Sequence, residues 1–113
     1  MKGSFLGEFE EVVLLAVCVL KGELAYANEI RKEVEKHTAR TINLSAIHSA
    51  LYRMERKGFL DSQLAEASPR RGGKRKRYFE VSKKGFDALC EVKRIRESFW
   101  KLVPVSQVKG GTL

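Results

Sequence analysis

Arg70-Arg71-Gly72-Gly73-Lys74-Arg75-Lys76-Arg77 is the stretch whose reading decides the fold. Six of its eight residues are cationic and none is acidic, and the whole chain carries a formal net charge of +8, so the rest contributes only +2. Like charges held this close repel one another, and an anionic partner relieves that repulsion. A glycine-tipped basic loop can follow a phosphate backbone, where release of condensed counterions drives binding. Nucleic acid is therefore the first partner the sequence suggests.

The flanks show how the loop is carried. Before it, Phe59 to Leu64 alternates with Leu60 and Leu64 in phase; after it, Arg77 to Val81 alternates with Phe79 and Val81 in phase. These read as two half-buried strands of one hairpin, with Ala65 to Lys76 as a long tip containing Ser68-Pro69 and Gly72-Gly73. Upstream, Ile47, Ala50, Leu51 and Met54 form the i, i+3, i+4, i+7 stripe of a helix stopped by Gly58, with Asn43 or Ser45 suited to cap its start. The opposite face of that helix is Ala46, His48, Ser49, Tyr52, Arg53 and Arg56. These small, polar and cationic side chains suit a major groove, although an ordinary solvated helix face would look the same.

Two further helices precede it. Phe9, Val12, Val13, Ala16, Val19 and Leu20 mark one over residues 8–21, with Glu8, Glu10 and Glu11 at its dipole-positive end. Leu14, Leu15 and Val17 widen its apolar surface beyond one packing face, so a second cover, such as a partner subunit meeting Phe9 and Val13, is expected. Tyr26, Ile30 and Val34 mark the next helix, over residues 26–37. After the hairpin, Ser82 caps a last helix running to about Val103, with Phe86, Leu89, Val92, Ile95, Phe99 and Leu102 at helical intervals. Three helices and a hairpin already complete a small domain, so this helix is expected to bury against a second chain. Phe99, Trp100 and Leu102 then line either a dimer core or an aromatic ligand pocket at the interface.

The fold class expected is mostly α with a small β-hairpin: a winged helix-turn-helix over residues 5–82, a C-terminal dimerisation helix over 83–103 and a flexible tail over 104–113. At 113 residues there is room for one modest core. Hydrophobic residues at 43% and charged residues at 32% describe a globular chain rather than a disordered tail. The apolar run Val12 to Leu20 is too short to span a bilayer, and a cytoplasmic location is expected, with no membrane partner. Cys18 and Cys90 lack metal-ligand spacing and read as two buried free thiols, with a redox switch or an interchain disulfide as the alternative.

No catalytic constellation emerges. His37 and His48 belong to different segments, Glu33 one turn before His37 reads as a surface contact, and Gly72-Gly73 lacks the flanks of a phosphate-binding loop. The chain reads as no enzyme, and no cofactor or metal is expected. Two other readings stand beside a DNA-binding regulator: a nonspecific nucleic-acid or RNA-binding protein, and a protein-interaction module.

Several of these residues resemble one family. Leu6-Gly7-Glu8-Phe9-Glu10, Tyr26 with Glu29-Ile30, Ala46-Ile47 through Leu51, Arg53, Glu55 to Gly58, Arg71-Gly72-Gly73-Lys74, Arg77-Tyr78-Phe79 and Gly85 are similar to the PadR family of bacterial transcriptional regulators. The resemblance implies a homodimer on double-stranded DNA at an inverted-repeat operator, usually a repressor. The third helix would enter the major groove, and the wing would lie on flanking backbone or minor groove. It also implies that a small aromatic effector, such as a phenolic acid or drug, releases the DNA in many members. The chain departs from the pattern at Tyr26-Ala27, where the family commonly has Tyr-Gly, and at His48, where it often has tyrosine. Its short final helix is that of a compact subgroup.

On this reading Ser45, Ala46, His48, Ser49, Tyr52 and Arg53 face the bases, with Arg53 a candidate for a guanine or phosphate. Arg70, Arg71, Lys74, Arg75, Lys76 and Arg77 meet the backbone. Phe9, Val13, Phe86, Leu89, Val92, Ile95, Phe99, Trp100 and Leu102 are expected to form the dimer interface.

Overall fold

The computed structural model describes residues 6–66 and 75–110. Its elements are α1 (Glu8–Leu20), a 3-10 turn (Gly22–Leu24), α2 (Ala27–Thr38), α3 (Leu44–Arg56), β1 (Leu60–Leu64), β2 (Arg77–Val81), α4 (Lys83–Trp100) and a second 3-10 turn (Val105–Gln107). Order and type match the expected winged helix-turn-helix with an added C-terminal helix.

The core forms where the apolar stripes of the first three helices meet. Val13, Leu14 and Val17 of α1, Ile30 and Val34 of α2, and Ile47, Ala50, Leu51 and Met54 of α3 are all buried. Phe59 and Leu60 close it from below the hairpin, and Phe79 from within it. Removing one such side chain from water is worth about 1.5–3 kcal/mol, so these stripes, rather than helix propensity, hold the bundle together.

Local signals set the boundaries. Asn43 caps α3, its Oδ1 accepting from the Ser45 N–H at 2.8 Å and from the Ser45 hydroxyl at 2.7 Å. The other end of α3 closes in a Schellman motif: Gly58 adopts φ +83°, its N–H donates to Glu55 C=O at 3.0 Å, and the Phe59 N–H donates to Met54 C=O at 2.8 Å. A side chain with a Cβ pays about 1 kcal/mol or more in that left-handed region, which is why glycine stands there. Ser82 caps α4, its Oγ accepting from the Gly85 N–H at 3.1 Å and donating to Gly58 C=O at 2.6 Å.

β1 and β2 pair antiparallel, Leu60 opposite Val81 and Ser62 opposite Phe79, and the ladder continues as Ala65 N–H to Lys76 C=O at 2.7 Å. A third strand-like contact joins them where Tyr26 bridges Tyr78 and the Phe79 N–H donates to Ala25 C=O at 2.9 Å. The wing base is thus anchored to the turn before α2.

Several expectations need correction. Leu64 is in phase with Leu60 but 44% exposed, because the hairpin has left the bundle by that point. Cys18 is half-buried, and burial pushes its thiol pKa up, whereas Cys90 is exposed on the outer side of α4 rather than buried. α4 ends at Trp100 and passes through a turn to Val103. Beyond it, Val105–Gln107 form the second 3-10 turn.

Candidate nucleic-acid interface and the α1/α4 groove

The exposed side of α3 carries Ser45, Ala46, His48, Ser49, Tyr52, Arg53 and Arg56. This is the face read from the sequence, and it follows from helical geometry once Ile47, Leu51 and Met54 turn inward. It does not stand alone. His48 and Tyr52 share a groove of about 330 Å³ with Lys76 and Arg77 of the wing base and with Tyr26 and Asn28 at the start of α2. The Lys76 ammonium lies 4.8 Å from the Tyr26 ring centroid, a cation–π contact that holds one wing cation beside the helices. Tyr26 and Asn28 were not singled out as site residues from the sequence. The available signal was their place at the start of the helix preceding α3, near the groove that the wing closes.

The wing's orientation relative to α3 is fixed by a polar relay. The Ser62 hydroxyl donates to Glu55 Oε2 at 2.7 Å and accepts from Arg77 Nη1 at 2.9 Å, linking α3, β1 and β2 through one oxygen. Arg75 Nε donates to Ala65 C=O at 3.0 Å. Arg70, Arg71 and Lys74, the remaining expected wing cations, lie outside the described residues.

Arg53 has a partner that its sequence position did not reveal. Its Nε donates to Glu10 Oε2 at 3.1 Å, and Lys57 Nζ meets the same carboxylate at 3.2 and 3.3 Å. Glu10 is buried, which pushes its pKa up. The hydrogen bonds from Arg53 and Lys57, the Lys57 charge and the Gly7 N–H outweigh that burial and hold the carboxyl below the usual glutamate range.

A second site candidate lies at the start of α1, beside the turn that carries Glu10. Leu6, Gly7, Glu8, Val92, Ile95, Arg96, Phe99, Trp100 and Val103 line a groove of about 510 Å³ between the start of α1 and the end of α4. Arg96 at its edge is paired to Glu11 at 2.8 Å. Of the residues assigned to a dimer interface, Phe86, Phe99, Trp100 and Leu102 are exposed, the last three at 68, 60 and 79%. Val13, Leu89 and Val92 are not available to a partner: they are buried in this chain's own core, because α4 folds back onto α1. Phe9 packs partly against the same core, and Ile95 is half-buried beside the groove. Leu15 and Val19 of α1 remain exposed, whereas Leu14 and Val17 are covered from within the chain.

Among the described residues no His, Cys, Asp and Glu side chains form a group able to hold a metal ion, and no helix is long and apolar enough to cross a membrane.

A family model described as the transcriptional regulator PadR-like family matches residues 15–91, from the middle of α1 to the middle of α4. The chain belongs to the PadR-like family. That makes it a transcriptional regulator rather than an enzyme. A search of the curated proteins found no match. Among solved structures, the chain is similar to a PadR family transcription regulator from hypervirulent Clostridium difficile R20291, 28% identical over 82% of this chain and 91% of that one, with a TM-score of 0.60. It also resembles the Clostridium thermocellum transcriptional regulator Cth-833, at 21% identity, 82% and 84% coverage and a TM-score of 0.65. The Aeropyrum pernix ORC1 protein, solved in complex with DNA, shares the fold at 22% identity over 80% of this chain and 26% of that one, with a TM-score of 0.60. The PadR-like match includes both strands of the wing and all of α3, so it covers the groove between α3 and the wing base but none of the residues lining the α1/α4 groove.

Proposed function

We propose that this PadR-like regulator acts as a homodimeric repressor of an inverted-repeat operator. Two copies of α3 would enter successive major grooves about 34 Å apart on one face of the duplex. Ser45, Ala46, His48, Ser49, Tyr52 and Arg53 read base edges, while Lys76, Arg77, Arg75 and the tip cations Arg70, Arg71 and Lys74 neutralise phosphates. The observation that carries this reading is the shared groove of His48, Tyr52, Lys76 and Arg77, in which a polar helix face and the base of a cationic wing converge. The exposed Phe99, Trp100 and Leu102 support self-association, since an apolar cluster at a helix end favours burial against another surface. The groove beside Trp100 also suits a small aromatic effector whose binding lowers DNA affinity. On this reading the protein works in the cytoplasm.

Selection of bound duplexes from a random library tests the proposal. An inverted repeat with half-sites one helical turn apart is the expected product. Salt-sensitive binding with no enriched motif would leave a nonspecific binder, and preference for RNA over duplex DNA in competition would reassign the ligand. Quenching of the single tryptophan by phenolic acids, together with release of DNA, would identify the effector class.

A further inference from the structure

Glu10 stands out as a buried acid in a basic protein, and its two cationic partners belong to the α3 segment that also carries the proposed base-reading face. Lys57 meets both of its carboxylate oxygens, whereas Arg53 meets only Oε2 and does so through Nε. A guanidinium has five N–H donors in a rigid fork, so this contact uses one and leaves the four on Nη1 and Nη2. Among the described residues no hydrogen bond occupies those four, and the Arg53 side chain is 45% exposed. Arg53 is therefore gripped by its inner edge with its outer edge unoccupied. With two cations around one carboxylate, the cluster keeps a net positive charge.

We propose that Glu10 is a positioning residue for operator recognition: from α1 it fixes the Arg53 guanidinium so that Nη1 and Nη2 are presented to the DNA in one orientation. This rests on the reading of α3 as the operator-reading helix. Fixing the fork in advance removes rotamer freedom that DNA would otherwise have to freeze, so the gain falls on the one sequence that matches the fork. The same carboxylate subtracts one charge from the protein's attraction for any phosphate. Glu10 thus lowers affinity for DNA in general while raising discrimination, two effects of opposite sign that a merely structural clamp does not produce.

The test uses the full chain and the operator selected from the random library, with a scrambled duplex as reference. Glu10→Gln keeps the size but removes the charge and one of the two acceptor oxygens, so Arg53 and Lys57 compete for the one that remains. The variant is expected to bind scrambled DNA about threefold more tightly with a steeper salt dependence, while the operator-to-scrambled affinity ratio falls about tenfold. In an Arg53→Ala background the same change should leave the ratio where Arg53→Ala alone puts it. Arg53→Lys provides a second route should Glu10→Gln unfold: it keeps the charge but has no separate inner donor, so the ratio should fall with scrambled affinity unchanged. A ratio that stays at the wild-type value in the folded variants, or falls equally with and without Arg53, overturns the proposal. Failure of the wild type to select any motif would instead remove the operator reading beneath it.

Discussion

Gly85→Ala sets two effects against each other. Gly85 is the third residue of α4, and alanine is favoured over glycine in a helix by about 1 kcal/mol, so local propensity alone predicts a more stable protein. Packing predicts the reverse. A Cβ at this position would lie 2.2 Å from the Phe59 carbonyl oxygen, 3.0 Å from its carbonyl carbon and 3.1 Å from its Cα. The obstacle is backbone, and that backbone is fixed: Phe59 is fully buried, its N–H is bonded to Met54, and its C=O accepts from the Ser82 N–H at 3.0 Å. Relief requires α4 to retreat by about 1 Å, a strain in the overpacking range of about 1–3 kcal/mol. The retreat also stretches the Ser82 cap contacts to Gly85 and Gly58, each worth about 1 kcal/mol, and loosens Leu89 and Val92. Net of propensity, the loss should be about 2–4 kcal/mol, a large share of the 5–15 kcal/mol typical of a small domain.

Urea unfolding followed by far-UV circular dichroism, at one protein concentration for all variants, measures this loss. With an m-value near 1.5 kcal/mol/M, the midpoint should fall by about 1.3–2.7 M. Cys90→Ala, on the exposed side of the same helix, should stay within about 0.5 kcal/mol of wild type. A Gly85→Ala midpoint equal to or above wild type would refute the reasoning, for it would mean that α4 is not held against Phe59.

Replacing Arg75 and Lys76 together by alanine should weaken binding to operator and scrambled DNA alike and flatten the salt dependence by about 0.9 per lost phosphate contact; an unchanged slope would remove both from the backbone contacts. Asn43→Ala should cost about 1 kcal/mol in urea unfolding, since the Ser45 N–H and hydroxyl lose their shared acceptor. On the proposed homodimer, Phe99→Glu with Leu102→Glu should shift sedimentation from dimer to monomer, and an unchanged mass would remove these residues from the interface. Because the Glu10 pKa is depressed in the folded state, its contribution to stability should be complete above the unfolded glutamate pKa of about 4.3 and fade as pH falls through the folded value. The stability gap between wild type and Glu10→Gln, followed by urea unfolding across that range, should therefore close on acidification and stay constant at neutral pH.

Periodicity and punctuation made most of the fold legible. The stripe from Ile47 to Met54, the stop at Gly58, the alternation on either side of the basic tip and the caps at Asn43 and Ser82 are local signals, and each corresponds to an observed element boundary or face. What escaped was decided between segments. An apolar helix face announces that something covers it but not which chain does so, which is why Val13, Leu89 and Val92 looked like interface and proved to be core. Alternation marks a strand without saying where the strand leaves the bundle, hence the exposed Leu64. The Glu10–Arg53 contact joins residues 43 positions apart, and nothing in the spacing of either helix foretells it. Tyr26 enters the site because the turn before α2 pairs with β2, a register that only the folded chain reveals.

These long-range contacts tie the proposed recognition surface to the rest of the domain. α3 is tied near its C-terminal end in two directions: Arg53 and Lys57 reach α1 through Glu10, and Glu55 reaches both wing strands through Ser62. A displacement of α1 therefore cannot leave α3 and the wing unaffected. The first turn of α1 carries Glu10 and, three residues earlier, Gly7, whose N–H points to the Glu10 carboxylate at 3.5 Å and which also lines the groove beside Trp100. On the proposal that a second copy or a small aromatic molecule fills that groove, the occupant would meet Gly7 beside the turn that holds Arg53.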